Sequence, residues 1–451
     1  MQNSDLDSIV ALATPPGRGG VAIVRVSGKL VKKIAEAILE KPLRTRYAIY
    51  TAFLDSSAKT IDQGIALFFP APHSFTGEDV LELHAHGGPI IIDALIHRIL
   101  SLGARLAKPG EFTERAFLND KIDLVQAEAI ADLIDASSEQ AARAAMRSLQ
   151  GQFSDKIDAL VNLLIQLRAY IEAAIDFSEE EINFLADKQI ENNFIGIIAL
   201  LKEIQKNAVQ GSLLRDGITV VIAGSPNVGK SSLLNRLSGK EVAIVTHIPG
   251  TTRDLLKEYI VIDGMPIHII DTAGLRESND IVEQEGIKRA HTEIERADLI
   301  LFVVDATCSA AIELSDFIKK IPEKSAVITV RNKIDLLGQS PSITQQKDTI
   351  EISLSAKTGI GMDLLTKQIK ACVGLQTTNE GIFSARRRHI DALEKAHFFL
   401  ENGLQQLRIH QAGELVAEDL RQAQIALSEI TGAFTSDNLL GEIFSSFCIG
   451  K

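Results

Sequence analysis

Thirteen residues limit what this chain can fold into more than any others: Val220-Val221-Ile222-Ala223-Gly224-Ser225-Pro226-Asn227-Val228-Gly229-Lys230-Ser231-Ser232. The β-branched apolar run from Ile218 to Ala223 reads as a buried parallel strand. Gly224 to Ser231 fits G-x-x-x-x-G-K-[ST], a loop whose backbone N–H groups turn inward around phosphate oxygens. Within it Asn227, Val228, Gly229 and Lys230 would cradle the phosphates. Lys230 carries charge to the β- and γ-phosphates, and the Ser231 hydroxyl can ligate Mg²⁺. The spacing predicts a helix from Ser232 to Leu237 that points its positive N-terminus at the same anion. A chance glycine turn is the bland alternative, and the motifs downstream argue against it.

Those motifs come in the order a guanine-nucleotide switch requires. Asp271-Thr272-Ala273-Gly274 follows the apolar strand Pro266 to Ile270; Asp271 can hold Mg²⁺ through water, and the Gly274 N–H can sense a γ-phosphate. Asn332-Lys333-Ile334-Asp335 follows the strand Ala326 to Arg331. The Asp335 carboxylate can accept from guanine's ring N–H and exocyclic amine, a donor pair adenine lacks, which selects GTP over ATP. Ser355-Ala356-Lys357 follows the strand Thr349 to Leu354 and can close over the base. Between the first two motifs lies Ile248-Pro249-Gly250-Thr251-Thr252-Arg253-Asp254, a candidate switch in which a Thr hydroxyl, Thr252, completes the Mg²⁺ shell. Asp263-Gly264 joins the strands Glu258 to Ile262 and Met265 to Ile270, and Asp-Gly between β runs signals a type I′ hairpin.

A length of 451 residues allows two or three domains with separate cores. The net charge of −12 argues against broad, nonspecific nucleic-acid binding, and no DNA partner is expected. Cys308, Cys372 and Cys448 are widely spaced and odd in number, which fits a reducing cytosol rather than a disulfide framework. The polar, acidic start Met1 to Ser8 does not read as a signal peptide, and no run of about 20 apolar residues reads as a membrane span. A cytoplasmic protein is expected.

Before the phosphate loop, strands at Ile9–Thr14, Gly20–Val26, Gly64–Phe69 and Val80–Ala85 alternate with helical patterns at Lys29–Leu39 and Ile90–Leu102, which predicts a small α+β domain over residues 1–120. Loops dense in Gly, Pro and charge, including Ser74 to Asp79 and Lys108 to Thr113, can build a ligand site there. His84 and His86 share a strand face, a pattern more often polar than metal-binding. From Asp123 the pattern turns helical. Leu149, Phe153, Ile157, Leu160, Leu164, Leu167 and Ile171 recur at helical steps and predict one long amphipathic helix. Helical pattern stops at the phosphate-loop strand and resumes at Arg386-Arg387-Arg388-His389, continuing over Leu393–Leu407 and Leu415–Ile430. The economical reading is a helical domain, residues 121–214 and 377–451, interrupted by an inserted Ras-like α/β G domain at 215–376.

Read with their flanks, these motifs resemble the tRNA-modification GTPase family MnmE, also called TrmE, over essentially the whole chain. The marks are Pro15-Pro16-Gly17-Arg18-Gly19-Gly20, Pro109-Gly110-Glu111-Phe112 with Ala116-Phe117-Leu118-Asn119, Gly250-Thr251-Thr252-Arg253-Asp254, Asp271-Thr272-Ala273-Gly274-Leu275-Arg276 and Cys448-Ile449-Gly450-Lys451. The resemblance implies a folate-binding N-terminal domain that forms a homodimer, and a heterotetramer with the FAD-dependent partner MnmG. It implies addition of an aminomethyl or carboxymethylaminomethyl group at C5 of the wobble uridine of certain tRNAs, with a one-carbon unit from a tetrahydrofolate derivative. By family match Arg25, Glu82, Lys121 and Lys451 contact the folate; an anion with a pterin ring suits cations and one carboxylate.

Ras-like enzymes orient the attacking water with a Gln after Asp-x-x-Gly, where this chain has Leu275. The resemblance answers with Glu283 as the catalytic glutamate, and with K⁺ in place of an arginine finger, held by Asn227, Thr246, Ile248 and Thr251. Cys448, near the tail lysine, is a candidate nucleophile or proton carrier, with a buried structural role as the plainer reading. The rival readings are a ribosome-assembly GTPase, which would need an RNA-binding module such as a KH domain, a membrane-remodelling GTPase, and a regulatory folate sensor.

Overall fold

Six strands, β1 (Ile9–Leu12), β2 (Gly19–Ser27), β3 (Ile49–Leu54), β4 (Thr60–Phe69), β5 (Val80–Gly87) and β6 (Arg105–Leu106), form one sheet in the order β3-β4-β5-β2-β1-β6 in the computed structural model. It describes residues 7–176, 188–239, 257–271, 297–308, 326–346, 349–375, 381–410, 412–433 and 437–450. Pairing is antiparallel except between β1 and β6. Val24 and Val26 on β2 alternate inward with Leu81 and Leu83 on β5. They pack with Ile34 and Ile38 of α1 (Val31–Ile38) and Leu95 and Ile99 of α2 (Pro89–Ser101). The α+β expectation is met, with β3 as a strand that sequence reading missed. Two helices follow, α3 (Glu111–Leu118) and α4 (Leu124–Ile134).

The chain clusters into two compact units, Met1–Ala131 with Gln424–Lys451, and Asp132–Ala423. The second begins helical. Helix α5 (Glu139–Leu149) is followed by α6 (Gln152–Asp176) and α7 (Lys188–Asp216). The long helix expected through Leu149 is therefore two. Gly151 breaks it at φ +87°, a left-handed geometry that glycine adopts without penalty. Beyond the break the predicted seam holds, with Phe153, Ile157, Leu160, Leu164 and Ile171 fully buried.

A seven-stranded sheet then forms from β7 (Ile218–Ala223), β8 (Lys257–Ile262), β9 (Met265–Asp271), β10 (Leu299–Asp305), β11 (Ala326–Asn332), β12 (Ser342–Gln346) and β13 (Thr349–Ser353), ordered β12-β13-β11-β10-β7-β9-β8. Its centre is parallel, and β8 and β12 pair antiparallel at the edges. Alternate residues of β7 serve two cores: Val220 and Ile222 pack with Leu233 of α8 (Lys230–Ser238) and Leu365 of α9 (Met362–Cys372), while Val221 and Ala223 pack with Ile300 and Phe302. Burial on both faces explains the unbroken apolar run read as a parallel strand. The Asp263-Gly264 turn has φ +48° and +83°, the two positive values a type I′ hairpin demands. Helices α10 (Arg387–Gln405) and α11 (Gly413–Thr431) follow, and α12 (Asp437–Ser445) rejoins the first unit, where Phe444 and Phe447 pack with Leu124 and Ala127.

One carboxylate joins the chain segments on either side of the nucleotide-binding sheet. Asp132, its side chain 6% exposed, accepts from Arg215 Nε at 2.8 Å, Arg386 Nη2 at 2.8 Å and Ser384 Oγ at 2.7 Å. Arg215 precedes β7 and the other two follow α9, so the insertion begins and ends at one point, as an inserted domain with adjacent termini requires.

Candidate functional site

The loop after β7 is shaped by three residues at positive φ: Gly224 (+141°), Asn227 (+64°) and Gly229 (+97°). A Cβ on Gly224 would stand 2.1 Å from the Val303 carbonyl oxygen, and one on Gly229 would stand 2.3 Å from Asn332 Nδ2. Both places therefore require glycine, and the backbone between them curls ahead of α8. Lys230 opens that helix, and its Nζ donates to the Gly224 oxygen at 2.8 Å and the Ser225 oxygen at 3.0 Å, holding the ammonium across the loop. Ser231 and Ser232 stand exposed on the first turn.

Asn332 buckles the base-binding motifs to this loop. Its Nδ2 donates to the Val228 oxygen at 2.8 Å, and its Oδ1 accepts the backbone N–H of Lys333 at 2.8 Å and of Ala356 at 2.9 Å. Lys333 Nζ donates to the Asn227 oxygen at 2.7 Å and to Asp305 Oδ2 at 2.6 Å. Hydrogen bonds from Lys333 and Thr307 hold the Asp305 carboxyl down to about 2, so it stays ionised as the lysine's counter-charge. Ser355 Oγ donates to Asp335 Oδ1 at 2.6 Å, which fixes the carboxylate that would read guanine. Lys357 is exposed beside it, its carbonyl accepting from Arg236 Nη2 at 3.0 Å.

The structure thus brings Asn227, Val228, Gly229, Lys230, Asn332, Lys333, Asp335, Ser355 and Ala356 into one site, and Asp271 closes β9 beside Ile222 on β7. Thr246, Ile248, Thr251, Thr252, Thr272, Ala273, Gly274, Glu283 and Lys451 lie outside the described residues. Asp305 was missed by sequence reading. Its signal was available, because it ends the apolar run Leu299 to Val304 as Asp271 ends Pro266 to Ile270.

A second constellation lies in the first unit. Arg25 on β2 and Glu82 on β5 face each other in register, and Arg25 Nε donates to Glu82 Oε1 at 2.9 Å. The guanidinium stands 5.8 Å from the Phe75 ring centre and 5.7 Å from that of Phe112, within cation–π range. Lys121 lies along the same loop as Phe75, where a Cβ on Gly77 would be 3.3 Å from its Cδ. His84 leans on Glu82 at 3.5 Å and His86 on Asp62 at 2.9 Å, each with one carboxylate.

Two loops that wall this place are held by a charge network the sequence did not disclose. Arg115 donates to Glu111 Oε1 at 2.9 Å and Glu78 Oε1 at 3.0 Å, Arg105 Nη1 donates to Glu111 Oε2 at 2.8 Å, and Ser27 Oγ donates to Glu78 Oε2 at 2.6 Å. Burial pushes the Glu111 carboxyl upward; hydrogen bonds from Arg105, the Lys108 N–H and Arg115 outweigh it and hold the group below its ordinary value. The C-terminal tail reaches the same loop: Ile449 bridges Pro109, the Gly110 N–H donates to the Cys448 oxygen at 3.3 Å, and a Cβ on Gly450 would stand 2.1 Å from the Leu12 oxygen. Cys448 is exposed, so the buried structural role does not apply to it.

A cradle that only glycine permits, a lysine across it and a fixed Asp at the base position define a P-loop protein of the GTPase class. A family profile described as "MnmE helical domain" matches residues 124–448, and one described as "GTP-binding protein TrmE N-terminus" matches residues 8–121. A tRNA modification GTPase MnmE of Hydrogenovibrio crunogenus is 58% identical over 451 residues, covering 100% of both chains. That of Yersinia pseudotuberculosis serotype IB is 59% identical over 453 residues, covering 99% of this chain and 100% of the relative. The chain belongs to the tRNA modification GTPase MnmE family. Among the described residues no helix is long and apolar enough to cross a membrane.

Proposed function

We propose that this chain hydrolyses GTP to GDP and phosphate as part of a homodimer that, with the FAD-dependent partner MnmG in a heterotetramer, modifies C5 of the wobble uridine of certain tRNAs in the cytoplasm. The observation that carries the reading is the Asn332 buckle, which binds the phosphate loop, the base motif and Ala356 into one preorganised guanine site. Lys230 and the loop N–H groups offset charge on the β- and γ-phosphates. Ser231 and Thr252 would hold Mg²⁺, and Glu283 would orient the attacking water. The domain bounds are read as 1–120, 121–214 with 377–451, and 215–376.

Asn227 already sits in the left-handed conformation at the loop's rim. Its side-chain oxygen, with Thr246, Ile248 and Thr251, suits a monovalent cation beside the phosphates. GTP turnover is expected to rise at least about tenfold when K⁺ replaces Na⁺ at constant ionic strength, the scale of one transition-state contact. Equal rates in the two salts would remove the cation from the mechanism.

In the first unit Arg25, Glu82 and the exposed ring of Phe75 fit a tetrahydrofolate derivative: the Phe75 ring matches a flat pterin, the carboxylate its amine donors, and Arg25, Lys121 and Lys451 its anionic end. When bound, the folate supplies the one-carbon unit; Arg25 and Glu82 orient it. Cys448 serves there as nucleophile or proton carrier. Serine in its place keeps a donor of similar size and loses most nucleophilicity. A strain whose only copy carries Cys448→Ser is expected to hold normal GTP turnover in extracts and to lose modified wobble uridine from its tRNA, measured by nucleoside mass spectrometry. Full modification would show the thiol to be dispensable, and unmodified uridine with the wild-type copy would overturn the whole reading.

A further inference from the structure

The turn of the β8–β9 hairpin is gripped by a helix outside the nucleotide-binding sheet. Ser138 caps α5 by accepting the Ala141 N–H at 3.0 Å, and the same hydroxyl donates to the Gly264 oxygen at 2.6 Å. Gln140 covers the turn so closely that a Cβ on Gly264 would lie 1.7 Å from its Oε1 and 2.8 Å from its Cβ. Among the described residues the buried Gln140 Oε1 has no hydrogen-bond partner, so its contact with the turn is one of packing. From the other side Lys370 of α9 pairs with Asp263.

Helix α5 also holds the segment by which the chain leaves the sheet. The Ala144 oxygen accepts the Ser384 N–H at 3.1 Å, Arg147 Nη1 donates to the Ile382 oxygen at 2.9 Å, and Ser148 Oγ donates to the Ser384 oxygen at 2.9 Å. Ala144 and Ile382 belong to the same core cluster as β7 and β10. The neighbouring Phe383 stacks on Phe153 of α6 at 4.2 Å. One short helix therefore touches the hairpin turn, the core of the sheet and the bundle. Its hairpin, meanwhile, connects the two nucleotide-sensing motifs in sequence: β8 starts at Lys257, just after the 248–254 stretch, and β9 ends on Asp271 of Asp-Thr-Ala-Gly.

We propose that α5 reads the nucleotide state through the β8–β9 turn and passes it to the 382–384 segment and α6. The proposal rests on the GTPase reading and adds its route of regulation. Movement of either switch motif pulls on the hairpin. Interdigitated as it is with Gln140, the turn resists gradual sliding, so a displacement must change the Ser138 grip or carry α5 with it. Linkage makes the effect reciprocal: loosening α5 must alter the preference for GTP over GDP by the same factor.

Hydrogen–deuterium exchange of the full chain, with GDP or with a non-hydrolysable GTP analogue, tests this on the amides of residues 139–149. Their exchange is expected to differ at least about fivefold between the two states, the lower end of ordinary coupling. The difference should vanish in the Ser138→Ala, Gln140→Ala double variant, persist in Ser138→Thr, which keeps both hydrogen bonds, and fall by at least about half in Lys370→Ala, which leaves α5 itself unaltered. Equal exchange of α5 in the two states, or a difference that survives the double variant, overturns the proposal. Absence of GTP hydrolysis by the wild-type chain in a parallel assay would instead overturn the reading beneath it.

Discussion

Asn in place of Asp335 is expected to weaken GTP binding by about a hundredfold to ten-thousandfold. The carboxylate, oriented by Ser355 Oγ at 2.6 Å, would accept two hydrogen bonds from guanine in the proposed site. Each such bond to an ionised acceptor contributes about 1.5–3 kcal/mol, and about 1.4 kcal/mol is one decade in affinity. The amide keeps one acceptor and turns an NH₂ donor toward guanine's own exocyclic amine, so one bond is lost and one is replaced by a donor–donor contact. Xanthine carries a carbonyl where guanine carries that amine. The variant should therefore prefer xanthosine nucleotides, while the Asn332 buckle and the phosphate loop stay intact. Titration with both nucleotides checks it, and unchanged affinity for GTP would take Asp335 out of the base site.

Asp132→Ala is expected to cost about 3–5 kcal/mol, the usual penalty for removing one partner of a buried ion pair. The carboxylate is nearly sealed, and Arg386 beside it has a side chain 16% exposed, so that guanidinium would be left buried without this counter-charge. Arg215 is 30% exposed and retains Asp216 at 2.7 Å, which places the effect nearer the lower bound. Ser384 would lose its acceptor as well. In a thermal melt the midpoint should fall by roughly 6–20 °C. Asp132→Asn, which keeps the shape and one acceptor oxygen, should fall by less. A midpoint within a degree of wild type for the alanine variant would mean that the junction is held by other contacts.

What could be read from the sequence, and what could not, follows the reach of the chemistry involved. A phosphate and a guanine dictate residue types at short, fixed spacing, so Gly224 to Ser231, Asn332 to Asp335 and Ser355 to Lys357 stand out along the chain by themselves. The strand positions around them followed from apolar runs buried on both faces. Asp132 gave no such sign. In sequence it is one polar residue on a helix, and its partners Arg215, Ser384 and Arg386 are distant along the chain. The network of Glu78, Arg105, Glu111 and Arg115 was hidden in the same way, although both of its loops were noted for their charge. The break at Gly151 was missed because a four-residue step carries the apolar spacing from Leu149 to Phe153 straight across it, and only the glycine itself marked the turn. Strand β3 escaped because its burial does not alternate cleanly: Thr51, Ala52 and Phe53 are all buried, while Tyr50 is 62% exposed.

The first compact unit draws on both early and late parts of the chain, with Gln424–Lys451 packed among Met1–Ala131. During synthesis, then, the N-terminal sheet emerges long before the segment whose Phe444 and Phe447 cover Leu124 and Ala127. Roughly 300 residues separate them, which at about 5–20 residues per second is a wait of ~15–60 s. Through that interval the apolar side of α4 and the strand-pairing edge at Pro109 have no native cover. The intervening unit can meanwhile fold as it leaves the ribosome. On this view the nucleotide-binding unit matures first and the tail is seated last, so a nascent chain can hold GTP before its first compact unit is complete.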